Sequence, residues 1–172
     1  MFEFLKKKKS IQPNDIKGLW LGYFKNDHIN WNTKFPFSMD IVKVQSSHEN
    51  NIIKIEGFIL DKHNKLTSDF YGSIDLKKNS LEFVKKYSKL AAERIDYSKG
   101  TVDTEFYDFD FYVKYHGKLV KRGKRMKGKW KVSDDTIIRF HQDEYLREKS
   151  IRLPEDSGKW EAVKIHSKTS NE

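Results

Sequence analysis

Residues 111–132 read FYVKYHGKLVKRGKRMKGKWKV, and their pattern predicts a β-hairpin whose register can be written down. If Arg122-Gly123 is a two-residue turn, every apolar residue of both arms falls on one face. The pairs on that face are then Leu119 with Met126, Gly117 with Gly128, Tyr115 with Trp130, and Val113 with Val132. The stretch therefore predicts two antiparallel strands with one face in a core.

The opposite face of this hairpin is basic. Its pairs are Lys118 with Lys127, His116 with Lys129, and Lys114 with Lys131. Residues 111–133 carry nine lysines and arginines and no acid, which equals the net charge of +9 for the whole chain. Four acids and no cation lie in the preceding residues 101–110. Because like charges opposite each other destabilise a sheet, we expect an acidic group to lie near this face.

A third strand, Thr136–His141, is predicted to extend the basic face and to place Arg139 beside Lys129. The candidate contacts for phosphates are Lys114, His116, Lys118, Arg125, Lys127, Lys129, Lys131 and Arg139. Binding of nucleic acid, or of an acidic protein partner, is one interpretation of this surface. The other is that the acidic stretch or a partner subunit neutralises it, or that the lysines only protect a strand from edge pairing.

The rest of the chain alternates with a period of two, which predicts an all-β fold. Short connections favour a single antiparallel meander β-barrel of eight to ten strands over residues 16–166. A basic segment, 1–15, precedes it, and a polar tail, 167–172, follows. Further predicted strands are Ile16–Phe24, Phe35–Val44, Ile52–Leu60, Thr67–Leu76, Ser80–Tyr87, Ile95–Ser98 and a closing strand, Gly158–Ile165. Helical turns are predicted at Lys89–Arg94 and Asp143–Ser150.

Five short motifs in order resemble calycin-type barrels, most closely the avidins and streptavidins. They are Gly18-Leu19-Trp20, Phe37-x-Met39-x-Ile41, Ile55-x-Gly57, Phe111-x-Val113-x-Tyr115 and Met126-x-Gly128-x-Trp130, within residues 16–140. The resemblance implies an apolar cup for a small ligand, with Trp20 at the closed end and Arg139 laid over it as a cation. Biotin is not implied, because Gly22, Phe58 and Tyr115 replace the residues expected at its site.

The interior of such a barrel is either filled by side chains or open to one small ligand. Large inward aromatic residues favour filling, whereas tyrosine hydroxyls inside favour a pocket with polar anchors. The predicted wall residues are Phe37, Met39, Tyr87, Tyr97, Phe111, Tyr115 and Trp130. We therefore expect a noncatalytic binding protein for a small, partly apolar molecule, which can be anionic, with binding through the basic face as the alternative.

Catalytic and metal sites are not predicted. The chain has no cysteine, and its six histidines lack metal-ligand spacing. No catalytic residue, metal ligand or cofactor is assigned, and no segment is long and apolar enough to span a bilayer. The lack of a leader pattern predicts a cytoplasmic protein, and the sequence leaves its oligomeric state open.

Overall fold

The structure is a computed structural model that describes residues 11–27, 33–46, 51–96, 98–120, 123–132, 137–141, 148–152 and 156–165, with backbone alone for 90–96, 102–109, 137–141 and 148–152. Its elements are α1 (Pro13–Ile16), β1 (Gly18–Asn26), β2 (Phe35–Ser46), β3 (Ile52–Asp61), β4 (Leu66–Asp75), β5 (Ser80–Asp96), β6 (Thr101–Val120), β7 (Arg125–Val132), β8 (Ile137–His141), β9 (Glu148–Arg152) and β10 (Ser157–Lys164). Within this part of the chain, no helix is long and apolar enough to cross a membrane.

Eight of the strands form one closed antiparallel barrel, in the order β1-β10-β7-β6-β5-β4-β3-β2. Strands β1 to β6 each pair with the next strand along the chain, and β10 joins β7 to β1. The predicted all-β meander barrel is thus confirmed. The register predicted for residues 111–132 is also confirmed, with Tyr115 opposite Trp130 and Lys118 opposite Lys127.

The third strand of the basic face was predicted wrongly. Strand β8 pairs with β9 in a separate two-stranded sheet, and β10 takes the place beside β7. Gly158 therefore lies opposite Trp130, and Lys159 lies opposite Lys129. The physical reason is the length and pattern of β10, whose eight residues bury Trp160 and Ala162 inside the barrel. The prediction that Gly158–Ile165 closes the sheet is confirmed.

Both predicted helical turns also need correction. Residues 89–94 are in β5, which runs on to Asp96 and pairs with β6 through Ile95 opposite Val102. Cross-strand pairing outweighs the helix propensity of the two alanines there. Residues 148–150 belong to β9 rather than to a helix. Residues 143–147, Tyr97, residues 1–10 of the basic segment, and residues 166–172 lie outside the described residues.

One end of the barrel is closed by α1. Ile16 is fully buried, and its carbonyl accepts a 2.9 Å hydrogen bond from Nε1 of the fully buried Trp20. Lys164 lies opposite Trp20 on β10, and its Nζ donates to the carbonyl of Asn14 at 3.3 Å. Arg139, the cation expected over Trp20, lies on β8, which is not a strand of the barrel. Among the described residues, α1 thus covers this end of the barrel, and the opposite end is called the mouth.

Glycines let the strands bend tightly around the small core. At Gly128, a Cβ atom would lie 1.9 Å from the carbonyl oxygen of His116, on the neighbouring strand. Gly117, its partner in register, would meet the Lys127 carbonyl oxygen at 2.4 Å. No side chain fits at either position while β6 and β7 stay this close together. The indole of Trp160, on the neighbouring strand β10, packs beside the two glycines.

Candidate ligand cavity at the barrel mouth

The mouth of the barrel holds a cavity of about 180 Å³. Its wall is largely aromatic because the inward positions at the mouth ends of β1, β5, β6 and β7 carry rings. Tyr87 stacks on Phe111 with ring centroids 4.4 Å apart, and Phe24 meets Trp130 edge-on at 5.9 Å. The lining residues are Phe24, His63, Asn64, Leu66, Tyr87, Lys89, Phe111, Val113, Tyr115, Trp130 and Val132.

Four of the wall residues predicted from the sequence meet at this cavity: Tyr87, Phe111, Tyr115 and Trp130. Phe37 and Met39 are buried in the core and do not line the cavity. Phe24 and His63 also line the cavity and were not among the predicted wall residues. Phe24 could have been found, because it continues the inward alternation of Trp20 and Gly22. His63 follows the end of β3 in a turn, where no periodicity marks it.

Below the mouth, the barrel is filled. Phe83 stacks on Tyr115 with centroids 4.5 Å apart, and it meets Phe70 and Trp160 edge-on at 5.4 Å each. These rings lie in one contiguous apolar core with the buried side chains of β1, β2 and β3. The two alternatives predicted for the interior, filled by side chains or open to a small ligand, therefore hold at different levels of the barrel. Side chains occupy the closed half, and the cavity lies in the half at the mouth.

A buried polar network lies on β3 and β5 and reaches the cavity through Tyr87. Lys85 is 0% exposed and Asp61 is 1% exposed. Lys85 Nζ donates to Oδ1 and Oδ2 of Asp61, at 2.6 Å each, and to the Tyr87 hydroxyl at 2.6 Å. That hydroxyl donates in turn to Asp61 Oδ2 at 2.9 Å. An ammonium group has three donors, so the hydrogen-bonding capacity of Lys85 is fully used within the network.

Burial sets the protonation of the groups around the cavity. It lowers the pKa of Lys85 to about 8, against the opposing attraction of Asp61. Burial raises the pKa of the Tyr87 and Tyr115 hydroxyls. Burial also lowers the pKa of His63, which Asp61 partly opposes. At neutral pH, the ion pair is therefore formed while both tyrosines and His63 are uncharged.

Ser68 adds a fourth polar group at this level. It lies on β4 opposite Ile59, two residues before Phe70, and Phe70 is opposite Lys85. Ser68 is 4% exposed, and its Oγ has no hydrogen-bond partner among the residues that the structure describes. A buried hydroxyl without a partner carries a desolvation cost. The level of the polar network thus has a hydrogen-bonding group that the protein does not satisfy.

The residues predicted to bind polyanions lie on the outside of the barrel, away from the cavity. Lys114, His116 and Lys118 on β6 lie opposite Lys131, Lys129 and Lys127 on β7. Arg125 is on the same strand and forms an ion pair with Glu161. Arg139 is the exception, because its strand is not part of the barrel. Among the described residues, no group of three or more histidines, aspartates and glutamates is placed to hold a metal ion.

Comparison with known proteins gives no relative. The chain matches no protein-family model, no curated protein and no solved structure. Its class therefore rests on the fold itself, an eight-stranded antiparallel closed barrel that is consistent with a calycin-like barrel. The closer likeness to the avidins stays a prediction.

Proposed function

We propose that this protein is a noncatalytic binding protein that holds one small, partly apolar molecule in the cavity at the barrel mouth. The observation that carries the proposal is the aromatic cavity of about 180 Å³ set directly above a buried, hydrogen-bonded ion pair. An apolar cavity of about 150 Å³ in another protein takes up benzene. The size therefore favours a ligand with a single ring or a short chain.

The polar part of the ligand is constrained by the network. The Tyr87 oxygen accepts from Lys85 and donates its own hydrogen to Asp61, which leaves one lone pair for a donor on the ligand. The Lys85 charge is compensated by Asp61, so the inner wall offers no unbalanced charge. A hydroxyl or amide group suits this wall better than a carboxylate, which would lose its hydration there. An anionic group fits only at the mouth, where Lys89 lines the cavity.

The first experiment is native mass spectrometry of the purified protein against its denatured mass, at low and moderate salt. A small extra mass retained at both salt concentrations supports the proposal and can identify the ligand. Thermal unfolding with added phenol, benzamide or benzoate then tests the class. We expect phenol and benzamide to raise the unfolding midpoint more than benzoate, because the carboxylate of benzoate would lose its hydration in the cavity. A ligand present at about a hundred times its Kd stabilises the folded protein by about 2.7 kcal/mol.

Two valine variants test the location. Val132→Phe adds a ring to the cavity wall and should abolish the phenol-induced shift, whereas Val163→Phe adds the same ring to an exposed position on β10 and should preserve it. Wild-type protein that retains no mass and responds to none of the three probes would contradict the proposal. Equal phenol shifts in both variants would place binding elsewhere.

A further inference from the structure

The outer face of β6, β7 and β10 carries a lattice of lysines. One row across the strands is His116, Lys129 and Lys159, and it continues to Lys25 on β1. The next row pairs Lys118 with Lys127, and a third pairs Lys114 with Lys131. Strands lie about 4.8 Å apart and alternate residues about 6.8 Å apart along a strand. Positive charges thus recur at spacings of roughly 5 to 7 Å over several strands.

Two acids with described side chains lie beside this lattice: Glu82 on β5, opposite His116, and Glu161 on β10, opposite Lys127. Glu161 forms its ion pair with Arg125, whose hydrogen bond lowers the pKa of that carboxyl. In the acidic stretch before the hairpin, Asp110 is the acid whose side chain the structure describes. Asp110 forms a 2.8 Å ion pair with Lys86, and Asp108 lies opposite Lys89 in register.

Five lysines of the lattice consequently have no carboxylate partner in the described part of the chain. They are Lys114, Lys118, Lys127, Lys129 and Lys159. Like charges facing each other across strands raise the free energy of the sheet. Glu82 and Glu161 offset part of this charge. The lysines remain in excess, so an external anion that bridges them would be stabilising.

A groove runs through the lattice. It has a volume of about 790 Å³, and the backbone of the paired glycines, Gly117 and Gly128, contributes to its lining. Its sides carry five lysines, with Glu82 at the β5 end and with Tyr23 and Glu161 at the β1 end. Because the two glycines have no side chains, β6 and β7 can approach each other closely beneath the groove. The groove is open to solvent, and lysines outnumber acids along it.

We propose that this groove binds single-stranded nucleic acid through its phosphate backbone. A single strand presents one negative charge per nucleotide on a narrow, flexible chain, which can follow a groove lined by regularly spaced lysines. A DNA duplex is stiff over about 150 base pairs and follows a short groove less readily than a single strand does. A bilayer would meet protruding side chains rather than a groove. An acidic peptide usually adds a strand to a sheet edge or docks an apolar anchor, and the closed barrel offers no edge here.

The interaction should be independent of base sequence. Two residues with large aromatic rings line the groove, and of these Trp160 is buried in the core. Tyr23 is partly exposed, and Lys34 Nζ already lies 4.5 Å from its centroid. One ring gives no series of stacking positions for successive bases. Affinity should therefore come from phosphate neutralisation and fall steeply with salt, by a slope of about 0.7 in log K per phosphate neutralised on a single strand.

The test is fluorescence anisotropy of a labelled oligothymidylate over a salt series, with the full chain. A triple variant, Lys118→Gln, Lys127→Gln and Lys129→Gln, should weaken binding and reduce the salt slope by about 2. The matched control is Lys54→Gln, Lys62→Gln and Lys77→Gln, which removes the same charge from exposed positions outside the groove. The control should keep the wild-type slope. Both variants should keep the wild-type thermal midpoint or exceed it, because neither removes a buried contact.

Several outcomes would overturn this proposal. One is the absence of oligothymidylate binding at low salt. Another is an equal loss of salt slope in both triple variants, which would mean that binding depends on the net charge of the protein and not on the groove lysines. Tighter binding of a DNA hairpin duplex, phosphatidylserine vesicles or polyglutamate would assign the groove to another partner. The phenol shift of wild-type protein reports on the mouth cavity separately, so failure of one proposal can be distinguished from failure of the other.

Discussion

Breaking the buried ion pair should cost far more than replacing it. Lys85 and Asp61 are both almost inaccessible to solvent and are joined at 2.6 Å. Asp61→Leu would leave an ammonium group without its counter-ion, and Lys85→Met would leave a carboxylate in the same state. Each single variant should lose about 3 to 5 kcal/mol of unfolding free energy. Because small domains have only about 5 to 15 kcal/mol in total, either variant should come close to unfolding.

The double variant Asp61→Leu and Lys85→Met should recover most of that loss. It removes both charges together, and well-packed apolar replacements of buried pairs are often neutral or stabilising. Tyr87 would lose both hydrogen-bond partners in this background, so Tyr87→Phe should stabilise the double variant while it destabilises the wild type. The coupling free energy between positions 61 and 85 should therefore be favourable and several kcal/mol in size.

The assay is urea unfolding followed by tryptophan fluorescence, with the slope m compared among all variants. Trp20, Trp130 and Trp160 are buried and report on the core. Single variants that lose less than about 1 kcal/mol would mean that the charges are hydrated. A double variant whose loss equals the sum of the singles would mean that the two groups are not coupled. Either result would refute the network as the layer beneath the cavity.

Three further predictions concern the same scaffold. The pKa of Lys85 is about 8 in the native state and 10.5 in its ordinary state, so the unfolded chain binds more protons between these pH values. The unfolding free energy of the wild type should therefore rise by about 1 kcal/mol per pH unit from pH 8 to 10, relative to that of the double variant. An equal slope in both proteins would refute this. Gly128→Ala should lower the unfolding free energy by more than about 2 kcal/mol, because the new Cβ would clash with the backbone of β6. Gly100→Ala, in open space at φ +62°, should lower it by only about 1 kcal/mol. Equal losses in urea unfolding would contradict this difference. Ile16→Ala should lose about 2 to 5 kcal/mol by opening the covered end, and a loss below about 1 kcal/mol would show that α1 does not cover it.

The barrel could be predicted from the sequence because alternation and turns are local signals. The hairpin of residues 111–132 shows this most clearly, since a single turn assignment placed Tyr115 opposite Trp130 correctly. The choice between β8 and β10 as the neighbour of β7 could not be made in the same way. Both segments alternate, and only the closed arrangement of all eight strands decides which of them lies beside Lys129.

The polar network was beyond sequence reasoning for a different reason. Lys85 and Lys86 are adjacent lysines in a lysine-rich chain, and nothing local marks one as buried and the other as an outer-face partner of Asp110. The alternation of β5, with Leu81 and Phe83 inward, also places Lys85 inside the barrel. A lone buried charge is costly, so Lys85 by itself argues against this orientation of the strand. Asp61 resolves the conflict, but it lies 24 residues away and is brought near by two strand pairings.

The position of the network explains why the cavity lies at the mouth and not deeper. Along β5 the inward residues change from Leu81 and Phe83 to Lys85 and Tyr87, from apolar to polar. The apolar half packs densely because nothing there needs a fixed partner direction. At the next level, hydrogen bonds fix Lys85 and Tyr87, so these groups cannot shift to fill space above them. Any molecule that enters the mouth therefore meets the Tyr87 ring and one oxygen lone pair, a surface that suits a neutral ring with one hydrogen-bond donor.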